Sequence, residues 1–105
     1  MIKFALPADG PIIAAESDIL DPIGNASYSG ADTLVIPVSR LSPDFFKLST
    51  GLAGAILQKC TNYSMKVAIV GDISAYTAKS GPLRDFVYES NKHGHVRFVA
   101  SEAEL

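Results

Sequence analysis

Ser49 and Thr50 stand side by side in the stretch LSTGLAGAILQK, directly before Gly51 and an apolar helical pattern. Two hydroxyls at a helix start suit two kinds of work. They cap the helix, by accepting from first-turn N–H groups that have no partner inside it. Alternatively they carry or receive an anion, because the same N–H groups and the helix dipole favour negative charge. A phosphoryl group on such a hydroxyl adds up to about two negative charges. Gly51 permits close backbone approach. Asp44, Ser49, Thr50, Gly51 and Leu52 therefore form the first candidate, a regulatory or interaction site. Capping alone accounts for the same residue types.

A second group, Asp72, Tyr76, Thr77, Lys79 and Ser80 with Arg84, lies past an apolar stretch and at another helix start. These residues suit an anion or small-ligand site. A solvated loop with one turn-forming Asp is the plainer reading. His93 and His95 form H-G-H, but no carboxylate or Cys is spaced to complete a metal set, so no metal is expected. Arg84, Asp85 and Glu89 read as a solvated ion-pair face. Cys60 falls within an amphipathic pattern and reads as a small buried residue, not a nucleophile. The sequence holds no G-x-x-x-x-G-K-S/T, no G-x-G-x-x-G after a strand, no G-x-S-x-G elbow and no paired carboxylates that stand out. No cofactor is implied. With no nucleophile–base pair, an enzyme is the less favoured reading.

The elements that must position these residues alternate. Ile2 to Leu6 reads as a strand closed by Pro7, Asp9 and Gly10, and Pro11 to Ala15 (PIIAA) as a second, with PADG as a hairpin turn between them. Ser17 is a candidate N-cap for a helix with Ile19, Leu20, Ile23 and Ala26 on one face. Pro22 implies a later start, with Asp21 as N-cap, or a kink. Thr33 to Val38 is nearly continuous in apolar and β-branched residues, the pattern of a strand buried on both faces. Ser39 to Leu48 reads as a loop or a short helical turn around SPDFF, then a helix from about Thr50 to Tyr63, a strand Lys66 to Gly71 and a polar loop Ile73 to Lys79. A helix with Pro82 in its first turn directs Leu83, Phe86, Val87 and Ser90 inward. Val96 to Ala100 is the last strand, and Ser101 with Glu104 forms a capping pair for a short final helix. The expected order is β-β-α-β-α-β-α-β-α. Right-handed strand–helix–strand crossovers then give a single α/β domain with a mixed, mostly parallel sheet and flanking helices. Functional loops gather beyond the carboxyl ends of parallel strands. Ser39–Thr50 and Asp72–Ser80 both meet that description.

Composition sets the outer bounds. The chain of 105 residues is 48% apolar and 19% charged, which is globular and matches one domain. Net charge is −2 and the nine Lys and Arg are scattered, so nucleic acid is not an expected partner. One cysteine forms no internal disulfide. The apolar run at the N-terminus is too short for the core of a signal peptide, and no long apolar segment follows. A cytoplasmic protein with no membrane association is the expectation.

Three blocks, DFFKLSTGLAGAILQK (Asp44 to Lys59), KVAIVGD (Lys66 to Asp72) and AKSGPLRDFVYESNK (Ala78 to Lys92), resemble the bacterial family called Domain of Unknown Function 4180. The likeness runs from about Asp18 onward. The family usually reads Lys-Ser-Leu-Arg-Asp-Phe, whereas Gly81 and Pro82 here separate Ser80 from Leu83. More remotely, the element order resembles that of STAS domains, the anti-sigma-factor antagonist fold. In these a buried strand leads to a loop reading Asp-Ser-Ser/Thr-Gly-Leu, whose first Ser is phosphorylated by a partner kinase. Leu48 to Leu52 hold that register, with Leu48 in place of the Asp and Ser49 at the phosphoacceptor position.

The favoured expectation is thus a non-enzymatic, STAS-like regulatory or protein-interaction module with a phospho-switch at Ser49 and Thr50. The alternatives are a small-ligand or anion sensor using the Asp72–Arg84 loop, and a structural or assembly domain. A protein partner suits the first, and a homo-oligomer stays open under the last.

Overall fold

A computed structural model describes Met1–Leu105. Strand β1 (Lys3–Ala5), helix α1 (Leu20–Tyr28), β2 (Thr33–Pro37), α2 (Leu52–Asn62), β3 (Lys66–Val70), the single turn α3 (Ser74–Thr77), α4 (Gly81–His93) and β4 (Val96–Val99) follow in that order. The strands lie in the sheet as β1-β2-β3-β4, and all three pairs are parallel. The chain is a single α/β domain, as its alternating pattern implies.

Crossovers of one hand that always step the same way leave their helices on one side of the sheet. The core shows this. Phe4, Leu34, Val67 and Val96 share one register row, and Ile36, Ile69 and Phe98 the next. Both rows pack in one cluster with Ile23 and Ala26 of α1, Ala53, Ile56, Leu57 and Cys60 of α2, and Leu83, Phe86 and Val87 of α4. The opposite face carries the rows Lys3–Thr33–Lys66, Ala5–Val35–Ala68–Arg97 and Pro37–Val70–Val99. No helix joins it. Arg97 Nη2 donates to the Glu104 carbonyl at 3.1 Å, which draws the C-terminal 3₁₀ turn (Glu102–Glu104) toward β4. In that turn the Glu104 carboxylate accepts from the Ser101 N–H, half of the expected capping pair.

The expected hairpin is absent and the sheet is parallel rather than mixed. Residues 11–15 form no strand. They make a single parallel bridge, Ile13 to Leu41, through Ile13 N–H to Arg40 O and Ser42 N–H to Ile13 O. Pro11 has no N–H to offer a ladder, and its carbonyl accepts from the Arg40 guanidinium instead. Only Ile13 is driven inward, at 2% exposure. Ser17 is not a cap either. A 3₁₀ turn (Glu16–Ile19) leads straight into α1, and Asp18 accepts from the N–H groups of Ala14 and Ala15. Pro22 sits in the first turn of α1, where a missing N–H breaks no helical bond, and the helix begins at Leu20 with Ile19, not Asp21, as its N-cap.

Asp32 ties β1 to β2. Its Oδ1 accepts from the Thr33 hydroxyl at 2.8 Å and from the Ile2 N–H at 3.1 Å, and these two bonds hold its carboxyl below the usual range. At the other end of the sheet, a Cβ on Gly71 (φ +142°) would lie 2.8 Å from Cγ2 of Val38, so the β3 exit passes the β2 exit too closely for a side chain.

Candidate functional site

The β2–α2 connection is three 3₁₀ turns, Val38–Arg40, Pro43–Phe46 and Leu48–Thr50, the middle one being the short helical turn expected around SPDFF. Phe45 and Phe46 plug the middle turn into the core. Gly51 (φ +76°) adopts the left-handed conformation that swings the chain from the last turn into α2. The two hydroxyls before it part company here. Thr50 Oγ1 accepts from the Leu52 N–H at 3.2 Å and lies 2.8 Å from the carbonyls of both Asp44 and Lys47. It caps the helix and staples the preceding turns. Ser49 is exposed, and its hydroxyl bonds to nothing in the chain. Asp44 contributes its carbonyl to the Thr50 staple while its carboxylate stays exposed, and half-buried Leu52 packs on the core.

The β3–α4 connection begins at Asp72, whose Oδ1 accepts from the Ser74 N–H at 2.9 Å. Bonds from the Ser74 side chain and backbone hold the Asp72 carboxyl below the usual range. Ser80 caps α4, accepting from the Leu83 N–H at 3.2 Å, and Gly81 and Pro82 form the first turn. The two extra residues are absorbed as that turn, with proline where its missing N–H costs no bond.

The two connections meet. The rings of Phe46 and Tyr76 stack with centroids 4.3 Å apart and planes 11° off parallel, and Phe45 meets Phe46 edge-on at 5.1 Å. Around this stack lies a cavity of about 560 Å³ lined by Lys47, Ser49, Tyr76, Lys79, Ser80 and Pro82 among others. It joins Ser49 of the first candidate group to half of the second. Neither lysine is in an ion pair. The rest of the second group faces elsewhere. Asp72, Thr77 and Arg84 line a separate cavity of about 400 Å³ with Ile73, Val87, Phe98 and Val99. The turn α3 stands between the two, and Arg84 Nη1 donates to the Thr77 carbonyl at 3.3 Å. The six residues read as one ligand site are thus split across two.

His93 lies 3.8 Å from Glu89 on α4, and His95 Nε2 lies 3.3 Å from the Thr61 hydroxyl. No three His, Cys, Asp or Glu converge as metal ligands. Burial pushes the Cys60 thiol up to about 11. No helix is long and apolar enough to cross a membrane. Sequence reasoning passed over a third cavity, of about 510 Å³, between residues 6–13 and α1. Its wall includes Arg40, which is only 8% exposed. Its only sequence signal is Arg40 itself, polar and directly after a buried strand and Ser39.

The model of the family DUF4180, a domain of unknown function, matches residues 3–105. The chain belongs to the DUF4180 family. The match takes in β1 and the residue 6–13 segment as well as the three blocks that first carried the likeness, so every cavity described lies within the family domain. No curated protein and no solved structure matches the chain at a significant level.

Proposed function

We propose that this DUF4180 chain is a STAS-like regulatory module that does no chemistry itself and is read by a protein partner at the Ser49 cleft. One observation carries the reading: Ser49 is exposed with a free hydroxyl, while its neighbour Thr50 makes the one hydroxyl bond to the start of α2. Helix capping therefore explains Thr50 and leaves Ser49 unexplained. Unmodified, the cleft offers Lys47 and Lys79 without acidic partners, a surface suited to a carboxylate-bearing protein. A phosphoryl group on Ser49 would bring up to about two negative charges into the same cleft and cancel the positive charge of the two lysines. Binding would then be lost through charge, with the fold unchanged.

The test compares the parent with Ser49→Ala and Ser49→Asp in pull-downs from lysate of the source cells, followed by identification of the retained proteins. A partner kept by the parent and Ser49→Ala but lost from Ser49→Asp is the expected result. Equal recovery by all three sinks the switch.

A second reading rests on the Asp72–Arg84 cavity. It combines one cation, Arg84, with an apolar wall of Val87 and Phe98, which suits a small organic acid. A thermal shift with acidic metabolites that disappears in Arg84→Ala supports a sensor. No shift in the parent counts against it.

A further inference from the structure

We infer that the cavity between residues 6–13 and α1 binds a free α-amino acid with an apolar side chain, its carboxylate on Arg40 and its ammonium among the aspartates that line the same cavity. The volume, about 510 Å³, falls within the range of roughly 300–1,000 Å³ that small-molecule sites occupy.

Arg40 is the centre of the argument. It is 8% exposed, yet no carboxylate lies within 4.0 Å of its guanidinium. Nε donates to the Pro11 carbonyl at 2.8 Å and Nη1 to the Pro7 carbonyl at 2.9 Å. Gly10 lies across the group so closely that a Cβ there would sit 2.7 Å from Cζ. The segment is therefore folded around the guanidinium. Nη2 has no partner, but no buried side-chain nitrogen or oxygen of the chain is unpaired, so Nη2 is an atom that reaches open space. The space that Arg40 lines is this cavity.

A buried cation without a counter-charge is unfavourable. Counter-charges are at hand, because Asp9, Asp18 and Asp21 line the same cavity. None closes on Arg40. Asp18 Oδ2 is taken by the N–H groups of Ala14 and Ala15, while Asp9 and Asp21 make no hydrogen bond or ion pair. A simple anion would satisfy Arg40 but face three carboxylates, and a simple cation would meet the reverse. A ligand that carries both charges satisfies Arg40 and the aspartates together, and an α-amino acid, with ammonium and carboxylate on one carbon, is the smallest such ligand. Phe4, Leu6 and Ile13 supply an apolar wall for its side chain.

The experiment is thermal shift and calorimetric titration of the full chain with the standard L-amino acids, each alongside its N-acetyl and amide derivatives. The expected result is that one or more apolar amino acids raise Tm and bind, and that both blocked forms fail. The double variant Asp9→Asn with Asp21→Asn, at exposed positions outside the loop tie, should bind about tenfold more weakly or worse. Arg40→Lys should also abolish binding, but it loosens the 6–13 segment too, so the aspartate variant decides. Absence of any binding overturns the inference. So does equal binding by a blocked form, binding confined to polar or charged amino acids, or unchanged affinity in the double variant.

Discussion

Adjacent hydroxyls of the same chemical kind take different roles at residues 49 and 50, and stability measurements should separate them. Thr50→Ala removes a cap and two contacts to carbonyls, and should cost about 1–2 kcal/mol in urea unfolding. Ser49→Ala should stay within about 0.5 kcal/mol of the parent, because its hydroxyl bonds to nothing in the chain. Equal costs would mean that the capping assignment is wrong. Cys60 supplies a pH dependence. Its thiol titrates near 9 when unfolded and near 11 in the fold. The folded state therefore holds its proton longer than the unfolded state does. This contribution is fully present below about pH 9 and is lost as the pH rises toward 11, a loss on the order of 2 kcal/mol. Thermal melts of the parent and Cys60→Ala across pH 8–11 should differ in slope, with the parent falling faster. A thiol reagent at neutral pH should label Cys60 only on unfolding, since the residue is fully buried.

Among the elements, those set by side-chain period were legible and those set by tertiary bonding were not. The run Thr33–Val38 announced a strand buried on both faces, and Thr33 to Ile36 are all buried. The amphipathic pattern around Cys60 announced a helix, and Ala53, Ile56, Leu57 and Cys60 are its buried face. PIIAA has the composition of a strand, but Arg40, nearly thirty residues on, takes the Pro11 carbonyl, and no local pattern reports a bond of that span. The ligand group Asp72–Arg84 was read as one site because its members are close in sequence. The single turn α3 rotates Tyr76 and Thr77 to opposite sides and divides it. Asn91, inside α4, likewise carries no local signal of its tertiary bonds. Its side chain accepts from the Phe98 N–H at 2.7 Å and donates to the Phe98 carbonyl at 3.2 Å. It occupies the outward backbone groups of the edge strand β4, a place where another chain could otherwise pair. Asn91→Ala should cost about 1–2 kcal/mol and raise self-association. Light scattering over a concentration range reads the second effect, and a strictly monomeric variant would remove the edge-blocking role.

At the scale of the molecule, two layers divide the labour. One sheet face and three helices make the core, and the connections at the carboxyl ends of β2 and β3 make the Ser49 cleft, where loops of a parallel sheet are expected to gather. The order β1-β2-β3-β4 also has a consequence in time. Each strand pairs with the one made just before it, so no pairing waits for a distant part of the chain. Each closure spans one crossover, and the entropic cost of closing such loops stays small. β1, α1 and β2 can therefore assemble while α4 and β4 are still to come from the ribosome, and folding should be fast for a parallel sheet. Pulse-labelled hydrogen exchange during synthesis should find the β1–β2 amides protected first and β4 last. Protection of β4 ahead of β2 would contradict that order. A sheet wound in one direction is then also a sheet that is built in one direction.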